Sequence, residues 1–510
     1  MREAKTTSHA SRNVAEYQVV VDQEKEDDMS AKEQGIMIGW ASCDITPDQT
    51  VNVVGQLHVR ISEYVNDPLT TTALAIESAD HQQQCIMVSV DAAVVEDSVR
   101  QSCSGILKSQ LADFDLSRLF IGATHTHNSP AQVPLVQYPP QAADVMTPKA
   151  YTEMLVEGIC KAAREAWERR ATGAVSWGCG QAVVGFNRRM TYLDGVSAMY
   201  GDTNDPNFSH LEGYEDHGVD MLFTYDNDKQ LTGMIVNLAC PSQVSEAAPF
   251  VSADFWHDAR CEIRKRHGDG LFVLPQCSAA GDQSPHLMTK KRAEERMVEL
   301  KGFMKECDDK DKAQRVEIGR RIAAAVDEVL PLAAKDIRDT LVFEHSVVEF
   351  ALARREITEE QRAFAEETMR FYERKLADCE PDPTGSDYSG SYVMVGRLKR
   401  ALEWYEKQET ENTLPVTIHV VRVGDIAFAT NRFELFLDYG MRIKARSKAI
   451  QTFVVQLVGE GSYLPSQRAV RSKSYGTGIE NSIVSPEAGQ MLVNESVHTI
   501  DALFDESDAQ

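Results

Sequence analysis

Short apolar runs alternate with amphipathic helical stretches from residue 36 to about residue 343, which is the pattern of an α/β domain. Residues 85–90 and 234–239 are apolar runs of strand length, and each predicts a buried strand. A helix is predicted to begin at Pro148, because Thr147 offers a capping hydroxyl and proline suits the first helical position. The pattern predicts an α/β fold.

Composition divides the chain into three parts. Residues 1–34 are polar and charge-rich without the apolar stretch of a signal peptide, so we expect a disordered leader there. Residues 35–500 predict one large domain, in which a charged helical insertion covers about 290–410. Residues 501–510 form an acidic tail. Within the domain, residues 379–391 predict an exposed loop, and residues 416–429 predict a hairpin.

Charge and cysteine usage narrow the classes of function. The 510 residues carry a net charge of −25, which disfavours nucleic acids and anionic membrane surfaces as partners. No apolar run approaches the roughly 20 residues that a membrane-spanning helix needs. The ten cysteines are scattered singly, without a Cys-x-x-Cys pair, which indicates reduced thiols and a cytoplasmic location.

Two histidines follow the apolar run 117–121 and are the first candidates for chemistry. His125 and His127 are two residues apart, so they are expected to leave the strand end on the same side. Neutral imidazoles in this arrangement can share one divalent cation, or divide metal binding and proton transfer between them.

Several other predicted strands end in polar or glycine-rich segments. These are Asp91, the segments 240–243 and 276–286, Glu434 and Tyr463. Because sites in α/β proteins form where the carboxyl ends of strands meet, these segments outline one site. In the segment 276–286, Ser284 can act as a nucleophile or as a hydroxyl that orients an oxyanion. Gly-Asp-x-Ser-Pro is also ordinary turn chemistry, and on these residues alone the turn is the better interpretation.

The ordered pair Ala123-Thr-His-Thr-His127 and Gly281-Asp-Gln-Ser-Pro285 resembles the neutral (non-lysosomal) ceramidase family, specifically its N-terminal catalytic domain. Weaker matches are Cys43-Asp-Ile-Thr-Pro47, Asp67-Pro-Leu69, Asp91, Asn187-Arg-Arg189, Ser252-Ala-Asp254, Phe433-Glu434 and Tyr463-Leu-Pro465. The resemblance runs from about Gly39 to the end. It implies a mixed-sheet α/β catalytic domain with helical insertions, in a short form without the C-terminal domain.

The family consists of zinc-dependent amidases that cleave an N-acyl bond, so the resemblance implies Zn²⁺ and a metal-activated water. It implies the following roles: His125 and Glu434 as metal ligands, Ser284, His127, Asp282 and Tyr463 as catalytic residues, and Arg188 and Arg189 as substrate-binding residues. For Glu434 the alternatives are a salt bridge with Arg432 or a solvated helix start.

One family ligand is missing from this chain. The family has a histidine just after the strand equivalent to 234–239, whereas this chain continues Ala239-Cys-Pro-Ser-Gln243. Cys240 can replace it as a thiolate, His257 can replace it as a neutral imidazole, or the metal is lost. Asp254 is a further candidate ligand. We favour His257, because an imidazole keeps the charge on the metal unchanged, and predict the ligand set His125, His257 and Glu434.

The leading functional hypothesis is a zinc-dependent hydrolase of an amide bond. Its substrate is predicted to be a small-molecule or lipid-like N-acyl compound, and a soluble one fits this acidic chain as well as ceramide does. One rival is an esterase or lactonase that uses the same metal site, since the tetrahedral chemistry is shared. The other is a binding protein that keeps the fold without the metal.

Overall fold

The structure is a computed structural model that describes residues 32–505 except 134–137, 304–306 and 308. Residues 1–31 of the predicted leader and residues 506–510 of the predicted acidic tail lie outside the described residues.

The strands are mostly short. They are β1 Gln34–Asp44, β2 Asn52–Val53, β3 Arg60–Ile61, β4 Tyr64–Val65, β5 Thr70–Ser78, β6 Gln84–Val90, β7 Leu119–Ala123, β8 Ala171–Gln181, β9 Phe186–Asn187, β10 Arg189–Tyr192, β11 Ser197–Met199, β12 Phe208–Leu211, β13 Gly218–Tyr225, β14 Leu231–Leu238, β15 Phe250–Val251, β16 Phe272–Cys277, β17 Gln283–Ser284, β18 Thr340–Leu341, β19 Phe343–Ala353, β20 Thr413–Val423, β21 Ile426–Thr430, β22 Glu434–Leu435, β23 Gln451–Val455 and β24 Tyr463–Leu464.

The α-helices range from one and a half to more than six turns. They are α1 Asp97–Leu107, α2 Pro148–Glu168, α3 Phe255–His267, α4 Lys291–Leu300, α5 Lys310–Ala333, α6 Glu359–Asp378, α7 Ser386–Lys407, α8 Leu437–Arg446, α9 Gln467–Ser472 and α10 Pro486–Asp505. Helix α2 begins as predicted, because the Thr147 hydroxyl accepts the N–H of Ala150 at 3.2 Å and Pro148 occupies the first turn.

Two mixed sheets form the centre of the fold. In the first sheet the strand order is β16-β14-β13-β8-β1-β5-β6-β7, with β18 beside β1. Most neighbours are antiparallel, but β6 pairs with β7 and β14 pairs with β16 in parallel. In the second sheet the order is β19-β20-β21-β23. The predicted mixed-sheet α/β fold is confirmed.

Alternation along the strands of the first sheet separates two apolar layers. Leu74 and Met87 belong to a core shared with Val421 and Phe428 of the second sheet, so one face of the first sheet packs against the second. The intervening Val88 packs on the other face, with residues of α1 and α2. This period of two is what a sheet buried on both faces requires.

Helices cover the outer faces of both sheets. Helices α3 and α5 pack on the β13–β14 part of the first sheet, and α8 and α10 pack on the second sheet. The result is a sandwich of helices, two sheets and helices, and the strand ends that carry the candidate residues meet at its edge.

Most predicted elements agree with the structure. The apolar runs 85–90 and 234–239 lie in or at the end of β6 and β14, and the predicted hairpin is β20–β21, turning at Gly424 with φ 59°. Helix α7 begins at Ser386, however, inside the segment predicted as a loop, and this helix becomes important for the site.

Candidate functional site

A cavity of about 390 Å³, here called the inner cavity, opens at the ends of β7, β22 and β24. Its polar lining includes His125, His127, Arg188, Tyr200, Glu246, Arg397, Glu434 and Tyr463. Its apolar lining includes Val54, Leu57, Ala93, Val94, Met199 and Leu457. Five of the predicted site residues therefore lie together, and four of them, His125, His127, Glu434 and Tyr463, come from the strand-end argument.

His125 stands two residues beyond β7 in a left-handed backbone conformation, with φ 62°. Such a conformation is costly for histidine and is common at functional sites. Its Nδ1 lies 2.5 Å from the carbonyl oxygen of Ala93, so Nδ1 carries the proton and donates it there. The other nitrogen, Nε2, then faces Oε2 of Glu434 at 3.3 Å.

Glu434 and Tyr463 are opposite each other in the short parallel ladder of β22 and β24. Tyr463 hydrogen-bonds to Glu434, and Nη2 of Arg188 donates to the Tyr463 hydroxyl at 3.1 Å. Burial raises the pKa of Glu434, but His125 and the Tyr463 hydrogen bond outweigh burial and bring it to about 2. Arg432 pairs with Asp97 at 3.2 Å, so the glutamate is free to face the cavity.

His127 is aligned by Glu246, a residue that sequence reasoning missed. Oε2 of Glu246 lies 3.2 Å from Nδ1 of His127, and its Oε1 lies 3.3 Å from Nε2 of His286. The base of the His127 side chain packs closely on Gly55, where an added Cβ would lie 2.4 Å from the histidine Cβ. The centroid of the His127 ring lies 4.9 Å from that of His125.

Ser284 is completely buried and does not belong to the lining of the inner cavity. Its Oγ lies 3.2 Å from the hydroxyl of Tyr200 and accepts the N–H of His286 at 3.1 Å. Tyr200 lines the cavity, so Ser284 contacts a lining residue without lining the cavity itself. The geometry gives no support to Ser284 as a nucleophile.

Asp282 is a buried carboxylate that ties the serine loop to its neighbours. It accepts the N–H of Leu437 at 2.9 Å and the Nδ2–H of Asn187 at 2.9 Å. Burial raises its pKa, and the hydrogen bonds from Leu437 and Gln283 oppose that shift only in part. This geometry agrees with the predicted orienting role for the serine loop.

The two arginines predicted to bind substrate have different surroundings. Arg188 lines the inner cavity and donates to Tyr463 and to the Gly281 carbonyl oxygen at 3.0 Å. Arg189 is buried elsewhere, in a bidentate pair with Glu212 at 2.9 and 3.0 Å. The structure does not bring Arg189 to the cavity, because Glu212 and nearby carbonyl groups already use its donors.

None of the three candidates for the missing histidine lines the inner cavity. His257 lies in the first turn of α3, with Nε2 3.5 Å from Sγ of Cys261, and the predicted ligand set that includes it finds no geometric support. Asp254 caps the same helix and accepts the N–H groups of Val244, Ser245 and Phe255. Cys240 is buried, and burial holds the pKa of its thiol well above the usual range.

Whether this donor set fits zinc depends on His125, Glu434 and Tyr463. Among the described residues, no group of three or more His, Cys, Asp or Glu side chains is arranged to hold a metal. His125 and Glu434 nevertheless provide one nitrogen and one carboxylate oxygen, at a separation of 3.3 Å. Two ligands of a tetrahedral zinc lie about 3.3 Å apart, and catalytic zinc needs only three protein ligands. The Tyr463 hydroxyl, which hydrogen-bonds to Glu434, would be the third donor of a zinc site here.

The second nitrogen of His125 agrees with this interpretation. Histidine ligands almost always donate their other N–H to a carbonyl or carboxylate, which fixes the tautomer. Ala93 provides that carbonyl here. Without a proton or a cation between them, Nε2 of His125 and Oε2 of Glu434 would present lone pairs to each other.

The sequence and the fold are similar to those of ceramidases. Residues 37–216 match the family described as neutral/alkaline non-lysosomal ceramidase, N-terminal, and this match confirms the family resemblance of the sequence motifs. No curated protein sequence matches this chain.

Solved ceramidase structures share the fold. The neutral ceramidase from Pseudomonas aeruginosa is 17% identical, with a TM-score of 0.64, and the match covers 92% of this chain and 75% of that one. A structure described as ceramidase complexed with C2 is 16% identical, with a TM-score of 0.62. The match covers 92% of this chain and 76% of that one. In the described part of this chain, no helix is both long and apolar enough to cross a membrane.

Proposed function

We propose that this protein hydrolyses the amide bond of a lipid-like N-acyl substrate, with zinc held by His125, Glu434 and Tyr463. The observation that carries the proposal is the contact between Nε2 of His125 and Oε2 of Glu434, 3.3 Å apart at the wall of the inner cavity. Family and fold support the reaction class. Here Tyr463 takes the third position that the sequence assigned to His257.

Hydrolysis breaks the C–N bond of the amide and forms a C–O bond to water. The water oxygen and one of its hydrogens join the acyl carbon. The other proton of the water molecule goes to the nitrogen of the leaving amine. Zinc, when bound, supplies Lewis-acid polarisation of the carbonyl and lowers the pKa of a water molecule.

The chain's own residues hold the reacting groups and move the proton. The Glu246 carboxylate lies 3.2 Å from Nδ1 of His127 and favours the proton on that nitrogen. The lone pair on Nε2 can then accept a proton, which the imidazole later donates to the leaving amine. Arg188 holds the hydroxyl of Tyr463 against Glu434. The apolar side chains of the cavity exclude water from the acyl group.

Metal analysis tests the zinc proposal directly. Elemental analysis of the native protein is expected to give about one zinc per chain, and His125→Ala is expected to lose it because one of three ligands is removed. A chelator is expected to abolish the hydrolysis of N-octanoyl amides, and added zinc to restore it.

His257→Ala is the matched control, since it removes the same side chain from outside the cavity. It is expected to keep both zinc and activity. Native protein without metal, or hydrolysis that survives the chelator, would overturn the zinc proposal. Zinc lost equally in both histidine variants would return His257 to the ligand set.

Glu246→Gln tests the alignment of His127. The amide oxygen of glutamine can accept a hydrogen bond from one of the two histidines, His127 or His286, but the amide N–H₂ group then faces the other. The orientation of the His127 ring is therefore no longer fixed. We expect kcat to fall about 10- to 100-fold, with KM and zinc content nearly unchanged. Steady-state kinetics and metal analysis check this prediction. A rise in KM alone would assign Glu246 to substrate binding.

A further inference from the structure

A second cavity, of about 610 Å³, adjoins the inner cavity and is here called the arginine cavity. The two share Arg397, Glu434, Gly461, Tyr463 and Tyr475 in their walls. A substrate whose amide group lies beside His125 and Glu434 can therefore extend one arm among the apolar side chains of the inner cavity and the other into the arginine cavity.

The arginine cavity takes its name from Arg354, Arg355, Arg397 and Arg400. Glutamates line it too, but within the described part of the chain no carboxylate lies within 4.0 Å of any of these four guanidinium groups. By contrast, Arg432 in the same wall pairs with Asp97. Four arginines without a close carboxylate are unusual in a chain with 78 acidic and 53 basic residues.

Arg397 stands at the junction of the two cavities. Its Nη1 donates to Oδ1 of Asn481 at 3.0 Å, and a further hydrogen bond goes to Tyr475. A guanidinium group has five N–H donors, so several remain for a ligand. Arg400 follows one helical turn later on α7, is exposed, and extends the same basic stripe.

Resting on the proposed amide hydrolysis, we infer that the substrate is anionic, with a carboxylate or phosphate on its amine part that binds Arg397 and Arg400. The planar fork of arginine matches the oxygens of either group. Partial burial lowers the pKa of Arg355 and Arg400. For Arg400 the neighbouring Arg397 adds to this shift, and Glu403 and Glu460 oppose it without cancelling it. Hydrolysis then releases a fatty acid and an amine that keeps the anionic group.

A matched pair of substrates tests this inference. Octanoyl-glycine and octanoyl-ethanolamine share the acyl chain and the amide, and differ in a carboxylate against a hydroxymethyl group. We expect kcat/KM of the native protein to be at least about tenfold higher for octanoyl-glycine. Arg397→Gln is expected to raise KM for octanoyl-glycine about 10- to 100-fold, and to raise KM for octanoyl-ethanolamine by a much smaller factor.

Two further variants separate recognition from folding. Arg400→Gln changes an exposed side chain and is expected to raise KM for octanoyl-glycine alone, whereas Arg397→Lys is expected to recover part of the loss. Arg446→Gln removes the same charge from the exposed face of α8 and is expected to change neither substrate. Preference for octanoyl-ethanolamine, or an equal loss of both activities in Arg397→Gln, would overturn the inference.

Binding measured by calorimetry tests the anionic substrate independently of the proposed reaction. If neither amide is hydrolysed, the proposed function fails, but octanoyl-glycine is still expected to bind the native protein at least about tenfold more tightly than Arg397→Gln. Octyl phosphate distinguishes a phosphate from a carboxylate. If it binds the native protein more tightly than octanoyl-glycine does, the anionic group of the substrate is assigned as a phosphate. No binding of either anion would overturn the inference.

Discussion

Glu434→Gln is expected to lower kcat/KM for N-acyl amides by about a thousandfold and to reduce the zinc content of the purified protein. The carboxylate faces Nε2 of His125 at 3.3 Å and accepts a hydrogen bond from Tyr463, so it connects the other two proposed ligands. Glutamine keeps the size of the side chain but removes its negative charge. An amide N–H₂ beside His125 would also repel a cation.

Both kcat/KM and the zinc content are measured for the variant and for a control. Glu168→Gln is the matched control, since Glu168 ends α2 in an exposed position and only approaches Arg164, at 3.8 Å. We expect this control to keep zinc and activity. A Glu434→Gln protein that retains more than about a tenth of the native activity would remove Glu434 from the proposed mechanism.

Asp91→Asn is expected to lower the free energy of unfolding by about 3–5 kcal/mol, because it leaves a buried arginine without its counter-charge. Asp91 is completely buried at the end of β6 and accepts two hydrogen bonds from Arg260, at 2.7 and 3.0 Å. It also accepts the N–H of Thr70 at 2.9 Å. Urea denaturation measures the change as a lower midpoint at an unchanged slope.

A surface ion pair provides the control for Asp91. Asp339 lies 2.9 Å from Nζ of Lys229, and both side chains are largely exposed. Because exposed pairs contribute little, Asp339→Asn is expected to leave the urea midpoint nearly unchanged. Equal losses in the two variants would mean that the Arg260 pair does not stabilise the fold.

The sequence predicted those parts of the site that depend on strand ends. The spacing and length of an apolar run predict a buried strand. The residue that follows the strand then lies at the edge of the sheet, whatever the conformation of the next loop. His125, His127, Glu434 and Tyr463 meet in one cavity for that reason. The same argument included Asp91, whose strand-end carboxylate instead turned out to pair with Arg260.

Residues in loops and helix turns could not be assigned to the site in this way. His257 was close in sequence to the missing histidine, but Asp254 starts α3 before it and the helix directs the imidazole toward Cys261. Glu246 is a single acid in an irregular loop, and no spacing distinguishes it. Arg397, by contrast, had a signal: it shares a helical stripe with Arg400 within the charged helical insertion predicted over about 290–410.

The ladder of β22 and β24 has a consequence for how the site tolerates change. Glu434 and Tyr463 are paired directly, and backbone hydrogen bonds from Glu434 to Ser462 and from Phe436 to Leu464 hold the register. A slip of one residue in either strand would turn the side chain of that strand away from the cavity and break the pair. The ladder therefore makes two site residues that are distant in sequence, with α8 and β23 between them, depend on one shared backbone register.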